Sequence, residues 1–337
     1  MADLKLGLAQ GYWGAGPQPN FVEMAQEAEK LGFDSVWSAE TYGNDAFTPL
    51  AWIGAQTEKI KLGTAVVQLS GRTPTGCAMH ALTLDYLSQG RFMLGLGVSG
   101  PQVVEGWYGR PFPKPLARTR EYVDIIRQVF AREAPVTNDG PHYPLPYPGD
   151  DGMGLGKPLK PIVHPVRNRI PIYIGAEGPK NIAQTVEIAD GWLPLFYNPH
   201  DESVYNQSLT GMRDDFEIAQ MVTVNITDDI PAALLQMKYF MSFYIGGMGA
   251  KNTNFHKDLF IRMGYEEEAE KIQALFMEGK RDEAAQVLPD ELADNMSLVG
   301  PRDRIKDRLQ AWRDSKVTTV LVATTDKQTL RDVAELF

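Results

Sequence analysis

The chain has one cysteine, Cys77, so no disulfide can form within it, and a reducing compartment, the cytoplasm, is expected. Its five histidines, His80, His142, His164, His200 and His256, show no metal-ligand spacing, and neither HExxH nor CxxC occurs. No metal site is therefore expected. No run of about 18 apolar residues is present, which excludes a membrane helix of the usual kind. The first residues, Met1-Ala2-Asp3-Leu4-Lys5-Leu6, lack the basic and apolar regions of a secretion signal. Basic residues are outnumbered, 33 Lys and Arg against 43 Asp and Glu, which leaves a net charge of -10. A nucleic-acid partner needs a basic face and is not expected. An anionic ligand would have to be held by local groups against the overall field.

Hydrophobic residues make up 43% of the 337 and charged residues 23%, enough for a sizeable core. Short strand-like and amphipathic helix-like stretches alternate. Strands are expected at 4–9, 34–38, 60–67, 91–97, 171–176, 191–195, 218–227 and 317–323. Helices are expected at 21–31, 49–56, 73–87, 116–132, 180–189, 302–314 and 327–336, with helical pieces over 230–288 broken at Gly246-Gly247, Gly264 and Gly279. Eight strands, each followed by a helix, predict an α/β fold of one domain, residues 1–337: a single (β/α)8 TIM barrel. An open doubly wound sheet is the competing arrangement.

Residues 134–170 break the rhythm. Pro135, Pro141, Pro144, Pro146, Pro148, Pro158, Pro161 and Pro165 rule out a helix or a central strand. Because the alternation resumes afterwards, the stretch reads as a Pro/Gly-rich insertion before strand five, placed as a lid loop over the barrel mouth. The helical pieces at 230–288 are extra helices between strands seven and eight.

Function in such barrels sits where strands end and helices begin. Those positions hold Gln10, Tyr12 and Trp13 after strand one, Glu40, Thr41 and Tyr42 after strand two, and Ala65, Val66 and Gln68 at the end of strand three. Strand four ends in Gly97-Val98-Ser99-Gly100 and strand five in Gly175-Ala176-Glu177-Gly178-Pro179-Lys180. Gly178-Pro179 suits a helix cap and first position. With Lys180 it fits either a phosphate cradle or an ordinary helix start. The Gly95-x-Gly97-x-x-Gly100 run is a weak dinucleotide fingerprint, since Gly95 lies inside the strand and no helix is expected directly after Gly100. Its alternative is a strand end where a flat ring or another backbone packs closely. Glu40 fits a general acid or base, a ligand-orienting group, or a solvated surface carboxylate. Tyr12, Trp13, Trp107 and Tyr108 fit either an apolar pocket or rim packing. Cys77 and His80, on one predicted helix, read as structural.

Several stretches together resemble the luciferase-like monooxygenase family, over most of the chain: Val36-Trp37-Ser38-Ala39-Glu40, Ile60-Lys61-Leu62-Gly63-Thr64-Ala65-Val66, and the run from Leu84 to Gly97. Ser99-Gly100-Pro101-Gln102-Val103-Val104-Glu105-Gly106-Trp107 is similar to the branch that uses the deazaflavin coenzyme F420. The resemblance implies a (β/α)8 barrel and a non-proline cis peptide at Ala65-Val66 that bulges against the deazaflavin ring. It places the ring beside Glu40, Ala65, Val66 and the turn Gly97, Val98, Ser99, Gly100, with Gln68 at the same strand end. It places the cofactor phosphate at Gly175, Ala176, Gly178 and Pro179, next to Lys180. The implied activity is hydride transfer between F420 and a small organic substrate, with Glu40 catalytic and Tyr12, Trp13, Thr41 and Trp107 around the substrate. An FMN-dependent monooxygenase and a non-catalytic deazaflavin-binding protein are the alternatives. Relatives are often homodimers. Many carry histidine where Thr41 stands, and threonine cannot exchange a proton near neutral pH.

Overall fold

The computed structural model describes residues 4–249 and 253–337. Ten strands occur among them: β1 (Lys5–Gly11), β2 (Ser35–Ser38), β3 (Lys61–Thr64), β4 (Val67–Gln68), β5 (Phe92–Gly97), β6 (Ile172–Gly175), β7 (Gly191–Leu193), β8 (Glu217–Ile226), β9 (Ser297–Gly300) and β10 (Thr319–Ala323). Every ladder between them is parallel. The order runs β10-β1-β2-β3-β5-β6-β7-β8, and β8 pairs back to β10, so the sheet closes. The fold is therefore a closed eight-stranded parallel barrel, and the open sheet is excluded. β3 and β4 are two halves of one barrel position. β9 extends the sheet beyond the ring by pairing with Thr223–Ile226 at the far end of β8.

The interior is filled by Ala9, Trp37, Met93, Tyr173, Leu193, Ala219 and Leu321 from successive strands. Trp37 and Tyr173 meet edge to face with centroids 5.2 Å apart. A larger apolar shell joins the strands' outer faces to the helices. The end opposite the mouth is pinned by Asp190, which lies against Arg127, Arg169 and Arg213 and accepts the Ile172 N–H at 2.8 Å.

Four local expectations are corrected. The second helix starts at Phe47, not 49, because Asp45 Oδ1 accepts the N–H groups of Phe47 and Thr48 at 2.8 Å and caps it early. A helix does open directly after Gly100: Pro101–Gly106, with extended Gly100 as its cap and Pro101 supplying a preset φ. β7 is not followed by a full helix. Among residues 194–216 the helical piece is Ser203–Asn206, and Phe196, Tyr197, Tyr205 and Leu209 fill the missing layer, with Tyr197 stacked on Tyr205. β9 was not expected at all.

The segment 134–170 contains two isolated antiparallel bridges, Val136 with Leu159 and Asn138 with Leu145. Its two ends are tied at the N-terminal ends of the strands: Arg132 donates to the Pro161 carbonyl, Arg127 to the Ile170 carbonyl, and Arg167 pairs with buried Asp85. Between them it climbs the flank of helix Pro115–Ala131, where Glu121 accepts the His142 and Tyr143 N–H groups. Tyr143 is where it reaches the rim, sharing a small cavity with Leu69, Ser70 and Val98. Helices Ile230–Gly246, Phe255–Arg262, Glu266–Met277 and Arg281–Val287 follow β8, separated near the expected glycines.

Candidate functional site

The peptide between Ala65 and Val66 is cis. It separates β3 from β4 and pushes Val66 toward β5 and β6. The glycines opposite make room for it. A Cβ on Gly95 would lie 1.7 Å from the Thr64 carbonyl oxygen, one on Gly97 2.5 Å from Val66 Cγ2, and one on Gly175 3.3 Å from Val66 Cγ1. Backbone against backbone cannot yield, so position 95 admits only glycine. Thr64 Oγ1 bridges the gap, accepting the Gly95 N–H at 2.8 Å and donating to the Gly95 carbonyl at 2.9 Å. Gly95 is thus explained by close approach of backbone, and Gly97 by the Val66 side chain lying over it.

Glu40 is buried beside this bulge. Its Oε1 accepts the Gln68 N–H at 2.9 Å and Arg72 at 2.8 Å, and its Oε2 accepts the Ala46 N–H at 3.0 Å. Gln68 returns the tie, donating from Nε2 to the carbonyls of Glu40 and Thr41 at 3.1 and 3.0 Å. Three donors on one carboxylate clamp the chain after β2 to the chain after the bulge. The Gln68 side-chain oxygen is buried without a partner. Such an atom is costly to leave unpaired.

Arg72 was not expected from the sequence. Its guanidinium lies 5.1 Å from the Phe47 ring centroid as well as against Glu40. Burial lowers its pKa, but Glu40 outweighs that and holds it above the usual value. Cys77 is buried below, and desolvation pushes its thiol up to about 12, so it is inert packing as expected. His80 bonds the Gly76 carbonyl within its own helix.

The β6 loop begins the helix Pro179–Ile188 with Gly178 extended at its cap, Pro179 first, and no side-chain cap. Its free N–H groups and dipole favour an anion. Trp192 fixes the loop by donating to the Ala176 carbonyl at 2.8 Å. Lys180 is exposed at its edge.

The expected residues therefore divide. Glu40, Ala65, Val66, Gln68, Gly97 and Gly175 come together around the bulge. Val98, Ser99 and Gly100 continue along the rim, Ser99 with φ of 60°. Thr41 offers its carbonyl to Gln68 and, at 3.4 Å, to the Tyr108 hydroxyl. Trp107 is exposed and faces Tyr42 with centroids 6.4 Å apart. Trp13 lines an apolar cleft of about 430 Å³ with Phe21, Thr48, Pro49, Ala51 and Trp52, whereas Tyr12 stands beside Tyr244 of the helix Ile230–Gly246. That cleft has no titratable lining and holds none of the bulge residues. Among the described residues no cluster of His, Cys, Asp or Glu could hold a metal ion, and no helix is long and apolar enough to cross a membrane.

The mouth of the closed barrel thus carries a bulged third strand, glycines packed against it and a helix start without a side-chain cap. The chain belongs to the luciferase-like monooxygenase family, whose model matches residues 8–319. It is 54% identical over 344 residues, 99% of each chain, to a Mycobacterium tuberculosis protein provisionally named a coenzyme F420-dependent oxidoreductase. The structure of an F420-dependent tetrahydromethanopterin reductase from Methanopyrus kandleri superimposes with a TM-score of 0.78 at 23% identity, covering 99% of this chain and 98% of that one. An F420-dependent secondary alcohol dehydrogenase bound to an F420–acetone adduct gives 0.76 at 14% identity, over 100% and 98%. These last two are likenesses of fold.

Proposed function

We propose that the protein is a cytoplasmic coenzyme F420-dependent oxidoreductase acting on a small organic substrate. The observation that carries this is Val66 seated against the side-chain-free wall of Gly97 and Gly175, in a chain so similar to the mycobacterial protein. When bound, the deazaflavin supplies hydride donation or acceptance. Ala65 and Val66 would support one ring face. Gln68 Oε1 would accept a hydrogen bond from the ring edge, and the Gly97, Val98, Ser99, Gly100 turn would border it. Gly175, Ala176, Gly178 and Pro179 would hold the phosphate, with Lys180 adding charge at the edge.

Glu40 would position rather than shuttle protons, because its oxygens already hold Ala46, Gln68 and Arg72. Tyr12, Thr41 and Trp107 would line the substrate side, with Trp13 behind them. Tyr143, at the tip of residues 134–170, would be that insertion's contribution to excluding water.

Anaerobic titration separates the readings. F420 fluorescence should quench saturably at one cofactor per chain, and reduced F420 should regain its long-wavelength band when a substrate is turned over. Oxygen consumption with reduced FMN and no F420 binding would favour the monooxygenase instead. Tight F420 binding without turnover across a broad panel would favour a carrier.

We further propose a homodimer. Trp52, Met79, Tyr86 and Leu87 supply exposed apolar surface on two helices that pack together, Phe47–Gly54 and Pro74–Leu87. Val166 adjoins it through Arg167, which is anchored at Asp85. Exposed apolar side chains gathered on packed helices suit an interface, and such a surface can pair with its own copy about a twofold axis. Light scattering should give twice 37.5 kDa, and the mass of a single chain would refute the dimer.

A further inference from the structure

The mouth holds a second carboxylate that the preceding reading leaves unused. Glu177 lies between Ala176 and Gly178, inside the loop assigned to the phosphate. Its Oε2 is 2.7 Å from His256 Nδ1, off the line of a straight hydrogen bond, and its Oε1 is buried without a partner. The helix Phe255–Arg262 grips this one residue twice, since Arg262 at its far end donates to the Glu177 carbonyl at 2.7 Å. Tyr244 packs edge-on against His256 with centroids 4.9 Å apart, and Phe196 does so at 6.4 Å.

A carboxylate inside an anion-binding loop opposes the anion. At a separation of several Å in a partly buried site, that repulsion is of order tenfold or more in affinity. An imidazolium beside the carboxylate cancels it. We propose that His256, when protonated, neutralises Glu177 and so makes the loop Gly175, Ala176, Gly178, Pro179 competent to take the phosphate-bearing arm of the cofactor. His256 is then a positioning residue that acts through Glu177, and the proposal rests on the cofactor reading of this loop.

The surroundings support the sign. Burial lowers the pKa of His256, but the charge of Glu177 outweighs it and holds it above the ordinary imidazole value. The other groups facing the pair are the Tyr244 hydroxyl, with Tyr12 beside it, Tyr205 near Glu177, and Arg262. Tyr244 and Tyr205 stay neutral, since burial raises each above its usual value. Lys257, next on the helix, is turned to Gln273 and Glu270. Cofactor affinity should therefore be high while His256 is charged and fall as pH rises through its raised pKa.

The test is an equilibrium fluorescence titration of F420 with the full-length protein at about pH 6 and about pH 9. The wild type should weaken about tenfold between them. Glu177→Gln should bind equally at both, and at the higher pH at least as tightly as the wild type. His256→Gln should be weak at both, and the double variant should regain affinity. Comparison among variants cancels any titration of the cofactor itself. A deazaflavin chromophore without the phosphate arm should show no pH slope with the wild type. The same slope in wild type and Glu177→Gln, or a flat wild type, overturns the inference and leaves the cofactor reading standing. No F420 binding at any pH overturns both. If His256→Gln does not fold, the wild type against Glu177→Gln decides alone.

Discussion

Glu40 and Glu177 each stand two residues past the end of a barrel strand, β2 and β6, and each faces a basic side chain. Beyond that they diverge. Glu40 is saturated by two backbone N–H groups and Arg72, all in normal hydrogen-bond range. Glu177 has one off-line contact to a histidine and one empty oxygen. The same barrel position thus yields a fixed clamp on one side of the mouth and a titratable pair on the other. The neighbours decide which. Arginine stays charged at any working pH, whereas histidine does not.

The two carboxylates should differ in what they contribute to stability. The largest effect belongs to Arg72→Leu, which leaves Glu40 buried without its counter-charge. Chemical unfolding should show a loss of about 3 kcal/mol, moderated by the partial exposure of the guanidinium. Glu40→Gln keeps the shape and loses the charge, so about 1–2 kcal/mol is expected from the weakened ties to Ala46, Gln68 and Arg72. Glu177→Gln should cost the least, about 1 kcal/mol or less, because the pair it breaks is poorly aligned. Equal losses at Glu40 and Glu177 would remove the distinction between clamp and adjustable pair.

The barrel was legible in the sequence because each strand and helix announces its period and its stop. The last helix, Lys327–Leu336, and the helix Arg302–Asp314 fall where the pattern puts them. What escaped depends on distant partners. β9 is four residues that borrow the end of β8. The absence of a full helix after β7 is made good by aromatic side chains whose packing no local pattern reveals. The helix after Gly100 is only six residues long, and its one local mark is Pro101 at the first position.

The site was legible in a different way. Ala65, Val66, Gly97 and Gly175 carry no chemistry of their own, and periodicity alone says little about them. Their meaning is backbone approach, which entered through family resemblance. Arg72 follows its strand without any local mark. The pairing of His256 with Glu177 joins two parts of the chain far apart in sequence. The available signal was that Glu177 is an acid set in a loop suited to an anion, a conflict that calls for a cation nearby.

The placement of the cofactor against the bulge is tested most directly by F420 titration of the wild type and Gly97→Ala side by side. The added Cβ would fall 2.5 Å from Val66 Cγ2 and force the bulge to move. Saturable one-to-one binding is expected of the wild type and at least about tenfold weaker binding of a folded Gly97→Ala, the cost of roughly 1.4 kcal/mol or more expected of overpacking. Equal affinity in the two proteins would overturn the placement of the cofactor against Val66.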